Sequence, residues 1–167
     1  MRKWLPLIVA ALSVAMVLPA LAGAARDRRC SLDLNFLTAP VIVTGNPPVS
    51  GTETRAAIVD GKLCGAQFRG AARLVITYTA PGMRTIRFAI FGSLGSLEGS
   101  AHVVGVLQAD GSVSLSGSGN ITGGTGLFTG ATGTITATGT RPANSNVNIV
   151  RDHGILLRVD HKNSPGR

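Results

Sequence analysis

The sequence predicts an all-β fold, a small closed antiparallel barrel of about eight strands, and three observations lead there. After residue 25 no segment sustains apolar residues at the three- and four-residue spacing of an amphipathic helix. Short stretches of period-two alternation recur instead, about eight or nine of them in about 140 residues, divided by glycine- and proline-rich turns. Closing such a set into a barrel removes the exposed edges that an open sheet would leave. A sandwich is the main structural competitor, and a solenoid would need a fixed repeat period, which does not recur.

Arg2 and Lys3 form a basic n-region, Leu5 to Leu18 an apolar run, and small residues follow, which is the pattern of a secretory signal peptide over residues 1–24. Ala20-Leu21-Ala22 and Ala22-Gly23-Ala24 both fit a small-x-small cleavage site. The run is shorter than the roughly 20 residues that span a bilayer, which favours cleavage over a retained anchor. No later apolar run approaches that length, so no membrane span is expected after cleavage. The expected domain covers 25–161, ahead of a short flexible tail at 162–167, and its expected location is the periplasm or the cell exterior. Cys30 and Cys64 both survive cleavage. In an oxidising compartment they are expected to pair, closing a loop that contributes roughly 3 to 4 kcal/mol in the chain-entropy model.

The strands follow in order. Asp33 to Val43 alternates until Pro40 interrupts it, and Gly45-Asn46-Pro47-Pro48 reads as a loop. Thr52 to Val59 is a strand closed by the hairpin signal Asp60-Gly61, answered by Leu63 to Phe68. Arg73 to Thr79 places Leu74, Ile76 and Tyr78 on one face, and Ala80-Pro81-Gly82 turns it into Arg84 to Phe91, with Ile86, Phe88 and Ile90 together. Gly92 to Gly99 reads as a flexible link. Ala101 to Leu107, apolar on both faces except at His102, reads as a strand covered on both sides. Asp110-Gly111 turns into Val113 and Leu115, a glycine-rich corner follows, and Thr134 to Thr138 sets Ile135 and Ala137 opposite three threonines. Val147 to Val150 and Ile155 to Val159 read as two last strands around Gly154.

The corner, Gly119 to Gly139, is the most distinctive stretch. Its glycines reach positive φ without steric cost and let backbones approach closely. Gly123-Gly124-Thr125-Gly126-Leu127-Phe128-Thr129-Gly130-Ala131-Thr132-Gly133 matches every fixed position of a Gly-Gly-Thr-Gly-x-Phe-x-x-Ala-x-Gly signature. The chain thereby resembles the allene oxide cyclase and dirigent superfamily of barrels, and its bacterial secreted members in particular. The resemblance implies a barrel whose interior takes an apolar small molecule, and family members that form dimers or trimers make a homo-oligomer an expectation. Gly123, Gly124, Gly126, Phe128, Gly130 and Gly133 are then fold determinants. No acidic pocket residue is carried over, and beyond the leader the chain has a single Tyr and no Trp.

Candidate chemistry is sparse. Glu98 and His102 are placed as an acid and base at a barrel mouth, although four residues of strand span about 13 Å. Tyr78 joins them as a third catalytic candidate, its hydroxyl directed into a cavity. Leu74, Ile76, Tyr78, Ile86 and Phe88 are the expected ligand-binding face. Glu53 and Asp60 have opposite parity and do not pair. Asp152-His153 and Asp160-His161 are metal-friendly dipeptides without further ligands, so no metal site is expected. The corner lacks the Lys and Ser/Thr of a phosphate loop, and no serine occupies a nucleophile elbow; no cofactor is expected.

The formal charge is +8, from 16 Lys and Arg against 8 Asp and Glu. A basic secreted surface suits anionic envelope polymers or lipids, although most of these charges read as a solvated face. The basic residues are scattered and no aromatics interleave with them, which argues against nucleic acid. The leading expectation is a secreted or periplasmic barrel that binds a small apolar molecule in its interior, non-enzymatic, weakly catalytic or dirigent-like. A cofactor-independent cyclase or isomerase comes second, and a structural envelope protein with a filled interior third.

Overall fold

The computed structural model describes residues 29–47 and 49–157. The expected signal peptide, the expected tail and Asp160-His161 lie outside the described residues. Eight strands follow one another: β1 Cys30–Asn46, β2 Ser50–Leu63, β3 Ala66–Ala80, β4 Met83–Gly92, β5 Gly95–Leu107, β6 Val113–Gly124, β7 Thr132–Arg141 and β8 Asn148–Leu157. Each pairs antiparallel with its sequence neighbours, and β1 pairs β8 from Cys30↔Leu156 to Thr38↔Asn148, so the sheet closes as the sequence predicts. One turn of 3-10 helix, Gly126–Phe128, sits between β6 and β7.

Alternation decides which side chains enter. On β1 Leu32, Leu34, Phe36 and Thr38 point inward, and on β3 Phe68, Ala72, Ile76 and Tyr78 do so. Pro40 cannot donate to a ladder, and the β1–β2 register shifts there, between Pro40 and Ile42. Beyond it β1 has no partner in β8, and Val41, Ile42 and Val43 are exposed.

Several local expectations are corrected. Asp60-Gly61 is not a turn, because β2 continues to Leu63. Gly61 is required by close approach instead: a Cβ there would stand 2.2 Å from the Asp33 carbonyl oxygen. The hairpin turns at Cys64-Gly65, both at positive φ (53° and 80°), as a two-residue primed turn requires. That turn presents Cys64 to Cys30, and the two form a disulfide. Gly92 to Gly99 is not a link but the end of β4, a tight turn and the start of β5; a Cβ at Gly99 would lie 2.5 Å from the Phe88 ring, so the glycine there makes room for an aromatic. Val104, Val106 and Leu107 are exposed, so β5 is covered on one face only. The last two expected strands are the single strand β8, where Gly154 accommodates the Thr134 carbonyl of β7 without a break. The expected corner is shorter than it reads, since Gly119 to Gly124 belong to β6.

One end of the barrel is sealed. Leu32, Leu63, Phe68, Leu97, Phe128 and Leu156 meet there, all buried. The corner caps it and is fastened to the β4–β5 turn: the amides of Thr125 and Leu127 donate to the carbonyls of Ser96 and Leu94 at 3.0 and 2.9 Å, and Ser96 Oγ lies 2.9 Å from Thr125 Oγ1. The opposite end, where β1, β3, β5 and β7 finish, is the mouth.

Candidate functional site

Strand parity brings an unexpected set of polar side chains inward at the mouth. Glu53 and Arg55 share the face of Ala57 and Val59 on β2, and Arg84 shares that of Ile86, Phe88 and Ile90 on β4. Glu53, Arg55, Arg84, Thr38 and Asn148 are all buried. Arg55 is the hub. Its Nε donates to Thr38 Oγ1 at 3.0 Å, its Nη1 to Glu53 Oε1 at 2.5 Å, and its Nη2 to the carbonyls of Thr38 and Asn146. The Tyr78 hydroxyl donates to the other Glu53 oxygen at 2.6 Å. Burial, followed by that carboxylate, pushes the Tyr78 hydroxyl up to about 12.

Arg84 stands directly across the strand pair from Tyr78, its guanidinium carbon 5.5 Å from the ring centroid. Its Nε has no hydrogen-bond partner. Burial disfavours its charge, which Tyr78 and Glu53 favour and the like charges of Arg141 and Arg55 oppose. Deeper in, on β8, Asp152 faces the interior between Val150 and Gly154. Its Oδ1 is buried without a partner, and burial alone pushes its carboxyl up to about 7.

Thr38, Arg55, Arg84, Asn148 and Asp152 border an interior cavity of about 50 Å³, otherwise walled by apolar side chains including Ile76, Ile86, Phe88 and Leu115. A second, more open depression of about 190 Å³ lies at the mouth against Glu53, Tyr78, Arg141 and Asn146, and Arg55 borders both. Of the expected ligand-binding face, Leu74, Ile76, Ile86 and Phe88 line the cavity, while Tyr78 lines the mouth depression.

Glu98 and His102 are elsewhere. Both are exposed on the outer wall of β5, so neither reaches the interior; His102 Nδ1 lies 3.4 Å from Thr85 Oγ1 on the same outer surface. Period-two alternation explains this, since Ala101 and Val103 take the inward positions on either side of His102. Alternation also splits Asp152 from His153, which is exposed, and among the described residues no three metal-ligating side chains converge. Sequence reasoning missed Glu53, Arg55, Arg84 and Asp152 as interior residues, although strand parity carries the signal for each.

No protein-family model matches the sequence, and no curated protein matches it significantly. The fold does have a solved relative: the structure of a pterocarpan synthase dirigent protein superposes with a TM-score of 0.55 at 14% identity, covering 84% of this chain and 91% of that one. The molecule is thus an eight-stranded, dirigent-like closed barrel with one sealed end and one polar mouth. At that identity the likeness concerns the fold.

Proposed function

We propose that the barrel binds a small, largely apolar molecule that enters at the polar mouth, in a non-enzymatic or dirigent-like role outside the cytoplasm. The Cys30–Cys64 disulfide supports the compartment, since such bonds persist where the environment is oxidising. The observation that carries the binding reading is Asp152: its Oδ1 is buried without a partner beside a cavity walled mostly by apolar side chains. A core that only stabilises a fold gains nothing from such a group, because an unsatisfied buried polar atom costs about 1 to 3 kcal/mol. A ligand oxygen would satisfy it.

The volume sets a condition. Ligand pockets run to about 300 to 1,000 Å³, and 50 Å³ takes a few waters. Binding therefore requires the mouth side chains, Arg55 foremost, to move aside and join the two spaces. Native mass spectrometry of the secreted protein tests the reading. A co-purifying small molecule supports it; a protein that stays empty and gains no thermal stability from a panel of small apolar compounds overturns it in favour of a structural role.

Asp152 also favours a second reading, a cofactor-independent cyclase or isomerase. A carboxyl raised to about 7, and so divided between its acid and carboxylate forms near neutral pH, is suited to donate a proton to an enclosed oxygen and to take one back from the product. In that case Asp152→Asn abolishes turnover and leaves binding in place.

A further inference from the structure

The mouth holds more cation than its carboxylate neutralises. Arg55, Arg84 and Arg141 border it, and Glu53 is fully committed, one oxygen to Arg55 and the other to Tyr78. Arg84 is left with the face of the Tyr78 ring. It is 8% exposed, and among the described residues it forms no ion pair. Asp152 does not serve it, since burial alone, and no neighbouring cation, sets the acidity of that carboxyl. A guanidinium does not escape by losing its proton, and buried charges in folded proteins are paired. Among the described residues no carboxylate bonds to Arg84, and its guanidinium is left open to an anion.

The chain also makes room for this guanidinium. A Cβ at Gly105, on the neighbouring strand β5, would stand 2.1 Å from Arg84 Nη2. The glycine is what allows the side chain to lie where it does, and the atom a methyl group would displace is the far end of a flexible side chain rather than backbone.

We infer that Arg84, with Arg141 as a second cation at the mouth, seats the oxyanion, a carboxylate in the first instance, of a small amphipathic ligand whose apolar body enters the cavity. The inference rests on the interior-binding reading and narrows it to organic acids. Arginine suits the task because its planar fork donates two parallel N–H bonds to a carboxylate. The Glu53 oxygens are taken by Arg55 and by the Tyr78 hydroxyl, so Glu53 does not compete with the ligand for Arg84.

The test compares 4-methylpentanoate, 4-methylpentan-1-ol and inorganic phosphate by calorimetric titration against the natural protein, Arg84→Met and Gly105→Ala. The carboxylate should bind the natural protein about ten- to a hundredfold tighter than the alcohol, as a charge-assisted hydrogen bond in a buried site would give. Arg84→Met should erase that preference and leave the alcohol's affinity unchanged. Gly105→Ala should reduce the preference by shifting the guanidinium, and it carries the test if Arg84→Met does not fold. Equal binding of acid and alcohol overturns the anion seat while the interior reading stands. Absence of binding by both overturns the interior reading and the seat with it. Phosphate binding as tightly as the acid, with the same dependence on Arg84, overturns the amphipathic ligand in favour of a free-anion site. A separate readout needs no ligand: Arg84→Met should melt no lower than the natural protein, because it removes a buried charge that has the Tyr78 ring but no ion-pair partner.

Discussion

The two ends of the barrel are built on opposite principles. At the sealed end six apolar side chains, from Leu32 on β1 to Leu156 on β8, close over one another, and both the disulfide and the backbone bonds of the corner fasten that end. At the mouth Thr38, Glu53, Arg55, Tyr78, Arg84 and Asn148 are buried instead. Burying apolar surface stabilises, whereas burying ionised groups seldom does so even when they are paired. The contrast assigns stability to one end and leaves the other free to carry groups that oppose folding, an arrangement that functional sites share. Variants at the two ends should therefore fail in different ways.

The largest effect is expected at the sealed end. A Cβ at Gly133 would stand 2.2 Å from the Ile155 carbonyl oxygen across the β7–β8 ladder, and that backbone atom cannot step aside. Gly133→Val should prevent folding or cost more than about 4 kcal/mol. Its signature is loss of soluble, oxidised protein on expression. Normal yield and an unchanged melting temperature would show that the ladder bends there, and the sealed end would lose its claim to be the rigid one.

Next comes the hub of the mouth. Arg55→Met leaves the Glu53 carboxylate with Tyr78 alone and removes the donors that satisfy the carbonyls of Thr38 and Asn146. Breaking a buried pair from one side costs about 3 to 5 kcal/mol, and the double variant with Glu53→Gln should recover part of that. Denaturant titration of the four proteins of the cycle measures the coupling. Additive effects would mean that the short contact contributes little.

The barrel wall and its cap were largely legible in the sequence, and the mouth was not. Leu74, Ile76, Ile86 and Phe88 announce their face by alternation, and the Gly123 to Gly133 signature marks the cap, so strand number and closure follow from local pattern. The same alternation places Glu53, Arg55 and Arg84 inside, but a charged residue is normally assigned to solvent, and only the closed register shows Arg55 meeting Thr38 from another strand. Glu98 and His102 drew attention by chemistry alone and lie on the outer wall. Asp152 was obscured by Gly154, which suggests a strand break until the close approach of the Thr134 carbonyl is seen. What a sequence window does not carry is which backbone comes near which glycine.

A smaller effect, and one that depends on pH, is expected at Asp152. Its carboxyl, ordinarily near 3.8, is raised to about 7 in the folded protein. Below pH 3.8 it is protonated in both states and makes no difference. Between there and pH 7 the unfolded chain ionises while the folded one stays neutral, so stability falls as pH rises, and above pH 7 the loss is complete. At about 1.4 kcal/mol per unit the whole span is on the order of 4 kcal/mol, an upper bound for a single group. Asp152→Asn does not ionise, so its advantage over the natural protein should be near zero at pH 4 and a few kcal/mol at pH 8 in urea titrations. An advantage that is the same at both pH values would place Asp152 in contact with solvent or with a cation.

The smallest effect is expected at Gly123, the first glycine of the signature, and it separates two kinds of glycine there. Gly126 has φ of 62°, and a Cβ on it would approach the Leu94 carbonyl oxygen to 2.5 Å. Gly123, three residues earlier, has open space where its Cβ would point and no positive φ. A residue in that position gains from a side chain that restricts the unfolded chain, so Gly123→Ala should be neutral or stabilising by up to about 1 kcal/mol. Gly126→Ala should be clearly destabilising, through both the backbone conformation and the contact. Thermal melts of the two single variants decide the matter. If Gly123→Ala destabilises as much as Gly126→Ala, a second molecule or a ligand packs where this chain leaves space, and the outer side of the cap is an occupied surface. If the two differ as expected, the signature is a steric and conformational rule at Gly124, Gly126, Gly130 and Gly133, and its first glycine is not needed for the fold of the sealed end.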